Sequence, residues 1–311
     1  MHRSGTSAVA GAARLLGADA PRNMLPPAED NPLGFWESVH ILGVNDWILN
    51  EVGGTWYDCI GIDISTLGSA RYNTALTFIM LSMMSNFVGA RLPLIKDPRL
   101  CLLLDLWLPA LQALQVSPSV LLVLRDPAEV AASLARRDGL PKALGLAMWL
   151  RHMLDAEQAT RDLPRHVVSY EALLDDWHGC MVMAAERAVI DWPRGLHRRA
   201  QWGVTPVDAT LRHNDAKQQS IDCADVPLMF WCEEAFAALR AIERDGSVAK
   251  HLDVLTWVRD AFTTWSRNEG RAMAKQHLRD HPIRAVPRFD VPPDWPGIAR
   301  DIATSGKFQV A

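Results

Sequence analysis

Two short apolar runs, SVLLVL at 119–124 and HVVSY at 166–170, are separated by a stretch in which apolar residues recur at helical spacing. A strand apolar along its whole length is covered on both faces, and parallel strands need a crossover, usually a helix, between them. The pattern therefore predicts an α/β fold with a parallel sheet covered by helices on both faces. RLPLI at 91–95 reads as a further strand of that sheet. Helical segments are predicted at 7–17, from about Phe35 to Glu51, at 99–115, 127–137 and 142–160, and over EALLDDW after the last strand. Past about residue 214 only helical stretches such as MFWCEEAFAALRAI and a Pro-rich tail remain, so residues 215–311 read as a helical C-terminal extension of a domain spanning 1–214.

The composition removes several function classes. A chain of 311 residues, 49% hydrophobic, is long enough for a large core, and its net charge of -4 gives no global attraction to nucleic acid or to an anionic membrane. Cys59, Cys101, Cys180, Cys223 and Cys232 form an odd set without a C-x-x-C pair or histidines at metal-ligand spacing, which reads as reduced core thiols of a cytoplasmic protein with no metal site. The opening residues lack the cationic and apolar regions of a secretory signal. The longest apolar stretch, ALTFIMLSMMSNFVGA from Ala75, is broken by Thr77, Ser82, Ser85 and Asn86. Its Leu76, Ile79, Met80, Met83, Met84, Phe87 and Val88 follow the helical period, so it reads as a buried amphipathic helix, not as an integral membrane segment.

The opening heptad MHRSGTS runs directly into the small-residue helix AVAGAARLLG. A glycine turn entering a helix gathers unpaired N–H groups and the positive end of the helix dipole, which suits a phosphate-like anion. A nucleoside-triphosphatase loop would carry Lys and then Ser or Thr after its second glycine. Here no Lys follows Gly5, and the cation, Arg3, precedes it.

Arg3-Ser4-Gly5-Thr6-Ser7 resembles, position by position, the phosphosulfate loop of sulfotransferases that use 3′-phosphoadenosine 5′-phosphosulfate (PAPS). The form MHRSGTS is similar to a bacterial branch of that family and to the loop of the tyrosylprotein sulfotransferases. In the family an Arg at the end of a buried strand and a Ser eight residues later grip the 3′-phosphate. Arg125 and Ser133, in LRDPAEVAAS, fall at that spacing. The same resemblance aligns Lys96 of LIKDPR with a lysine acting at the sulfuryl group, Glu37 of NPLGFWES with the region of the catalytic glutamate, and Tyr170 of VVSYEALLDD with a tyrosine near the adenine. It covers roughly residues 1–214, ending with TLRHN.

The resemblance implies a P-loop-like nucleotide-binding domain. Arg3, Lys96 and the loop N–H groups of Ser4 to Ser7 would stabilise charge on the departing nucleotide, Glu37 would act as general base, and no metal would be needed. The acceptor it implies is a hydroxyl, most plausibly of a carbohydrate. It further implies an apolar strand leading into the loop, so the sequence is expected to begin at an internal Met and to lack about five to eight residues of strand; the alternative is an N-terminal amine beside the anion pocket. Each residue keeps a plainer reading: Arg125 a surface cation, Ser133 an ordinary helix residue, Glu37 a partner of a helix dipole, Lys96 in a surface salt bridge with Asp97 or Glu37, Tyr170 a core ring. His2 and His40 are rival bases, and Trp36, Trp47 and Trp56 are either a sugar platform or packing. The rival functions are a P-loop-type kinase of small molecules or nucleosides, and a catalytically inactive relative serving as an interaction protein.

Overall fold

The computed structural model describes residues 1–28, 31, 34–196, 226–280, 290–292 and 295. Ten α-helices and two strands follow one another among them: α1 Thr6–Leu15, α2 Val39–Glu51, α3 Gly68–Phe87, α4 Leu100–Ala113, β1 Val120–Leu124, α5 Pro127–Asp138, α6 Lys142–Ala159, β2 Arg165–Ser169, α7 Tyr170–Arg187, α8 Val226–Asp245, α9 Ala249–Trp265 and α10 Arg271–Asp280. The molecule is mostly helical, and its sheet is small.

β1 and β2 pair in parallel, Val120 opposite Arg165 through Leu124 opposite Ser169. The alternation of side chains divides β1 between two cores, as expected for a strand covered on both faces. Leu122 and Leu124, with Val167 of β2, pack among side chains of α6, α8 and α9. Val123 and Val168 face the other way, onto Val9 of α1 and Leu173 of α7. The C-terminal helices thus share a core with α6 and the sheet; the expected boundary at 214, the TLRHN stretch and Cys223 lie outside the described residues.

Three local expectations are corrected. RLPLI forms no strand: it makes one parallel bridge, in which Asp19 N–H donates to the Leu92 carbonyl and Leu94 N–H to the Asp19 carbonyl, both at 2.8 Å. Pro93 has no N–H to give a ladder, and no strand among the described residues lies against its other side. The helix expected from Phe35 begins at Val39, because Trp36 adopts a left-handed φ of 58° and the Ser38 hydroxyl caps the helix, accepting from the N–H groups of His40 and Ile41. Tyr170 opens α7 instead of closing β2.

The sheet's two edges are treated differently. On the outer side of β2, Ser169 N–H donates to Glu243 Oε1 of α8 at 2.7 Å. On the far side of β1 no strand pairs among the described residues, and a cavity of about 320 Å³ separates Leu121 and Val123 from Leu92, Leu94 and Ile95. α3 carries the apolar stretch from Ala75, with Ile79, Met83 and Phe87 buried, and no described helix is long and apolar enough to cross a membrane.

Candidate active site

Gly5 is the N-cap of α1 and supplies no side-chain cap, so the first helical bonds are those of Ala8 and Val9 N–H to its carbonyl. The N–H groups of Gly5, Thr6 and Ser7 have no acceptor among the described residues. Arg3 and Gly5 both hold left-handed φ values, 60° and 88°, which curl the loop so that successive N–H groups converge. Ser4 is fully buried, and its hydroxyl also has no partner. A Cβ at Gly5 would lie 2.3 Å from Tyr170 Cδ2, so the ring beneath the loop requires glycine there.

Residues far apart in sequence surround this loop. Arg3 Nε donates to Ser133 Oγ at 2.8 Å, and Arg125 reaches from the end of β1 to the Arg3 carbonyl at 3.2 Å. The Arg125 guanidinium lies 4.6 Å from the centre of the Tyr170 ring, and its Nε donates to Glu129 Oε2 at 2.8 Å. Arg125 and Ser133 are both buried, which removes the surface-cation reading of the first. Asp126 caps α5, accepting from Ala128 and Glu129 N–H, with Pro127 in the first turn; that cap aims the helix bearing Ser133.

On the other side of the loop, Lys96 Nζ donates to Ser7 Oγ at 3.4 Å and to Glu37 Oε1. Asn31 Nδ2 donates to the same Ser7 hydroxyl at 3.1 Å. The Lys96–Glu37 pair is no surface salt bridge, since its side chains are 10% and 8% exposed. Burial raises the Glu37 carboxyl above its ordinary value of 4.5; the Lys96 ammonium pulls against this and the Asp97 carboxylate adds to it. A buried carboxylate of raised proton affinity, joined to an ammonium beside an anion-accepting loop, can take a proton from a hydroxyl while the cation holds negative charge nearby.

The rival bases are engaged elsewhere. His40 Nδ1 lies 3.2 Å from Ser85 Oγ, and its ring meets Trp295. His2 packs its ring 4.6 Å from Trp56 and 6.4 Å from His152. Of the tryptophans, Trp47 packs on Phe78, and Trp56 on His2 and Tyr57. Among the described residues no group of three or more His, Cys, Asp or Glu is placed to hold a metal, and Cys59, Cys101, Cys180 and Cys232 are free thiols.

The sequence reading missed Glu129, Asn31 and the buried set behind Lys96. Glu129 stands four residues after Arg125 at the start of a helix, a spacing that pairs opposite charges and was legible. Asn31 sits in a Pro-rich loop with no pattern to mark it. Comparison with protein-family models, with curated proteins and with solved structures returns no match for this chain.

Proposed function

We propose that this protein is a PAPS-dependent sulfotransferase with a P-loop-like site, moving a sulfuryl group to a hydroxyl acceptor of a carbohydrate. The observation that carries the reading is the meeting of three sequence-distant sets at one loop: Arg3 to Ser7, Arg125 with Ser133 and Tyr170, and Lys96 with Glu37. Among the described residues, the unengaged N–H groups of Gly5, Thr6 and Ser7 and the unpartnered Ser4 hydroxyl fit an anionic phosphosulfate, which as co-substrate supplies the activated sulfuryl group.

In this reading Arg125 and Ser133 hold the 3′-phosphate and Tyr170 lies along the nucleoside. Glu37 takes the acceptor's proton as its oxygen bonds to sulfur and the sulfur–oxygen bond to the nucleotide breaks. Lys96, Arg3 and the loop N–H groups stabilise the charge left on the nucleotide oxygen. Thermal unfolding with 3′-phosphoadenosine 5′-phosphate, and separately with ATP and magnesium, tests the nucleotide. A ligand at about 100 times its Kd adds roughly 2.7 kcal/mol to stability. The bisphosphate should raise Tm in the wild type and not in Arg125→Ala, and labelled PAPS should pass label to a carbohydrate acceptor. Stabilisation by ATP alone would overturn the reading in favour of a kinase, and stabilisation by the bisphosphate without transfer would favour an inactive relative.

A further inference from the structure

The base and its cation are mounted on different elements. Glu37 immediately precedes Ser38, the cap of α2, while Lys96 stands in the turn Lys96-Asp97-Pro98-Arg99 that leads into α4. Nothing in the short Lys96–Glu37 contact fixes how far apart the two backbones sit, since a lysine stem has four rotatable bonds. Two turns into α2, however, Asn45 is fully buried with both ends of its amide engaged. Its Nδ2 donates to Asp97 Oδ2 at 3.1 Å, and its Oδ1 accepts from Trp107 Nε1 of α4 at 2.8 Å. Asp97 Oδ1 in turn accepts from Arg99 N–H at 2.9 Å and from Arg99 Nη1 at 3.1 Å. Arg99 is buried and also pairs with Asp46, the neighbour of Asn45 on α2.

We propose that Asn45 is a positioning residue: through Asp97 it locks the head of α2 to the turn before α4, and so sets the placement of Glu37 against Lys96 before any substrate arrives. This rests on the proposed reading of Glu37 and Lys96 as base and cation. An amide suits the task because Asp97 needs a donor and Trp107 an acceptor, and Asn offers one of each on a short, stiff stem. A second carboxylate there would repel Asp97; a leucine would leave both Asp97 Oδ2 and Trp107 Nε1 short of a buried partner. The charged groups acting on Glu37 are Lys96, Asp97 and Arg99. Asp97 and Arg99 are held by hydrogen bonds that do not involve the loop, whereas Lys96 also donates to Ser7 Oγ of the loop.

The test reads Glu37 directly. In the full-length protein carrying carboxyl-labelled glutamate, the Glu37 resonance is assigned by its loss in Glu37→Gln and followed against pH. Turnover is measured in parallel. Asn45→Leu should shift the Glu37 titration from that of the wild type and lower kcat by ~10- to 100-fold, the effect of a misplacement of about 1 Å, with the KM for PAPS within about twofold. Trp107→Phe, which removes one donor and keeps the ring packing, should do the same to a lesser degree and serves if Asn45→Leu does not fold. Ser266→Ala, which loosens the remote Arg151 network, should lower Tm and leave the Glu37 titration unchanged. The positioning role is overturned if a folded Asn45→Leu or Trp107→Phe variant titrates and turns over as the wild type does, or if Ser266→Ala moves the titration equally. A shifted titration in a protein that transfers no sulfuryl group would uphold the lock and remove the proposed function.

Discussion

Gly5 shows how much one residue decides. It holds a φ of 88°, and any side chain would meet the Tyr170 ring. Gly5→Ala should cost ~1–3 kcal/mol, from strain in the left-handed region added to the clash, measured by chemical denaturation. In a Tyr170→Ala background the added cost of Gly5→Ala should shrink by the steric part and leave the strain. Glu37 offers a second measurement at this scale. Its carboxyl is held above 4.5 by burial, and in the proposed function the charged form is the base. Activity should therefore fall as pH drops through a midpoint above 4.5, and Glu37→Gln should lose that limb together with ~10²- to 10⁴-fold in kcat. A Glu37→Gln variant of full activity would return the role to His40. At the level of single residues the cluster was legible because the resemblance marks positions, and Arg3, Ser7, Glu37, Lys96, Arg125, Ser133 and Tyr170 lie together. Asn45 was not legible, since a buried amide in an apolar helix carries no local signal until its partners are in place.

At the scale of elements, α5 and α6 meet closely at one point. A Cβ on Gly145 would stand 2.9 Å from Ala131 Cα, and backbone cannot yield as a flexible side chain can. Gly145→Ala should force the helices apart at a cost of ~1–3 kcal/mol. Because α5 carries Ser133, the hydrogen bond from Arg3 Nε to its hydroxyl is disturbed when that helix moves. Affinity for the bisphosphate should fall along with Tm, and calorimetry on Gly145→Ala would separate this from a change confined to stability. The helices were readable because their apolar periods are long and their caps are local, as with Asp126-Pro127 ahead of α5. The 91–95 strand was misread for the opposite reason. Whether an apolar pentad becomes a strand depends on what lies beside it, and here that is Asp19 on one side and a cavity on the other.

At the scale of the whole molecule, the buried His152 and His166 and the half-buried His2 couple folding to acidity. Burial lowers His152 to about 3 and His166 to about 4, and lowers His2 well below its ordinary 6.5. Below pH 6.5 the unfolded chain binds protons at these sites and the folded chain does not. The stability they contribute is complete above that pH and is lost as pH falls toward the folded values. Urea midpoints should drop as pH is lowered from 6.5 toward 4, the range these shifts span. His152→Gln with His166→Gln should narrow that drop, and an unchanged difference would refute the assignment.

The pocket beside β1 also bears on how the sheet's two edges meet water. Besides Leu121, Val123, Leu92, Leu94 and Ile95 it is lined by Thr6, Lys96, Asp97 and Ser119, so it offers water polar partners. Water entering it reaches the edge of β1 that no described strand pairs, while the edge of β2 is held by Glu243. Amide hydrogens along that edge of β1 should therefore exchange sooner than the Ser169 N–H.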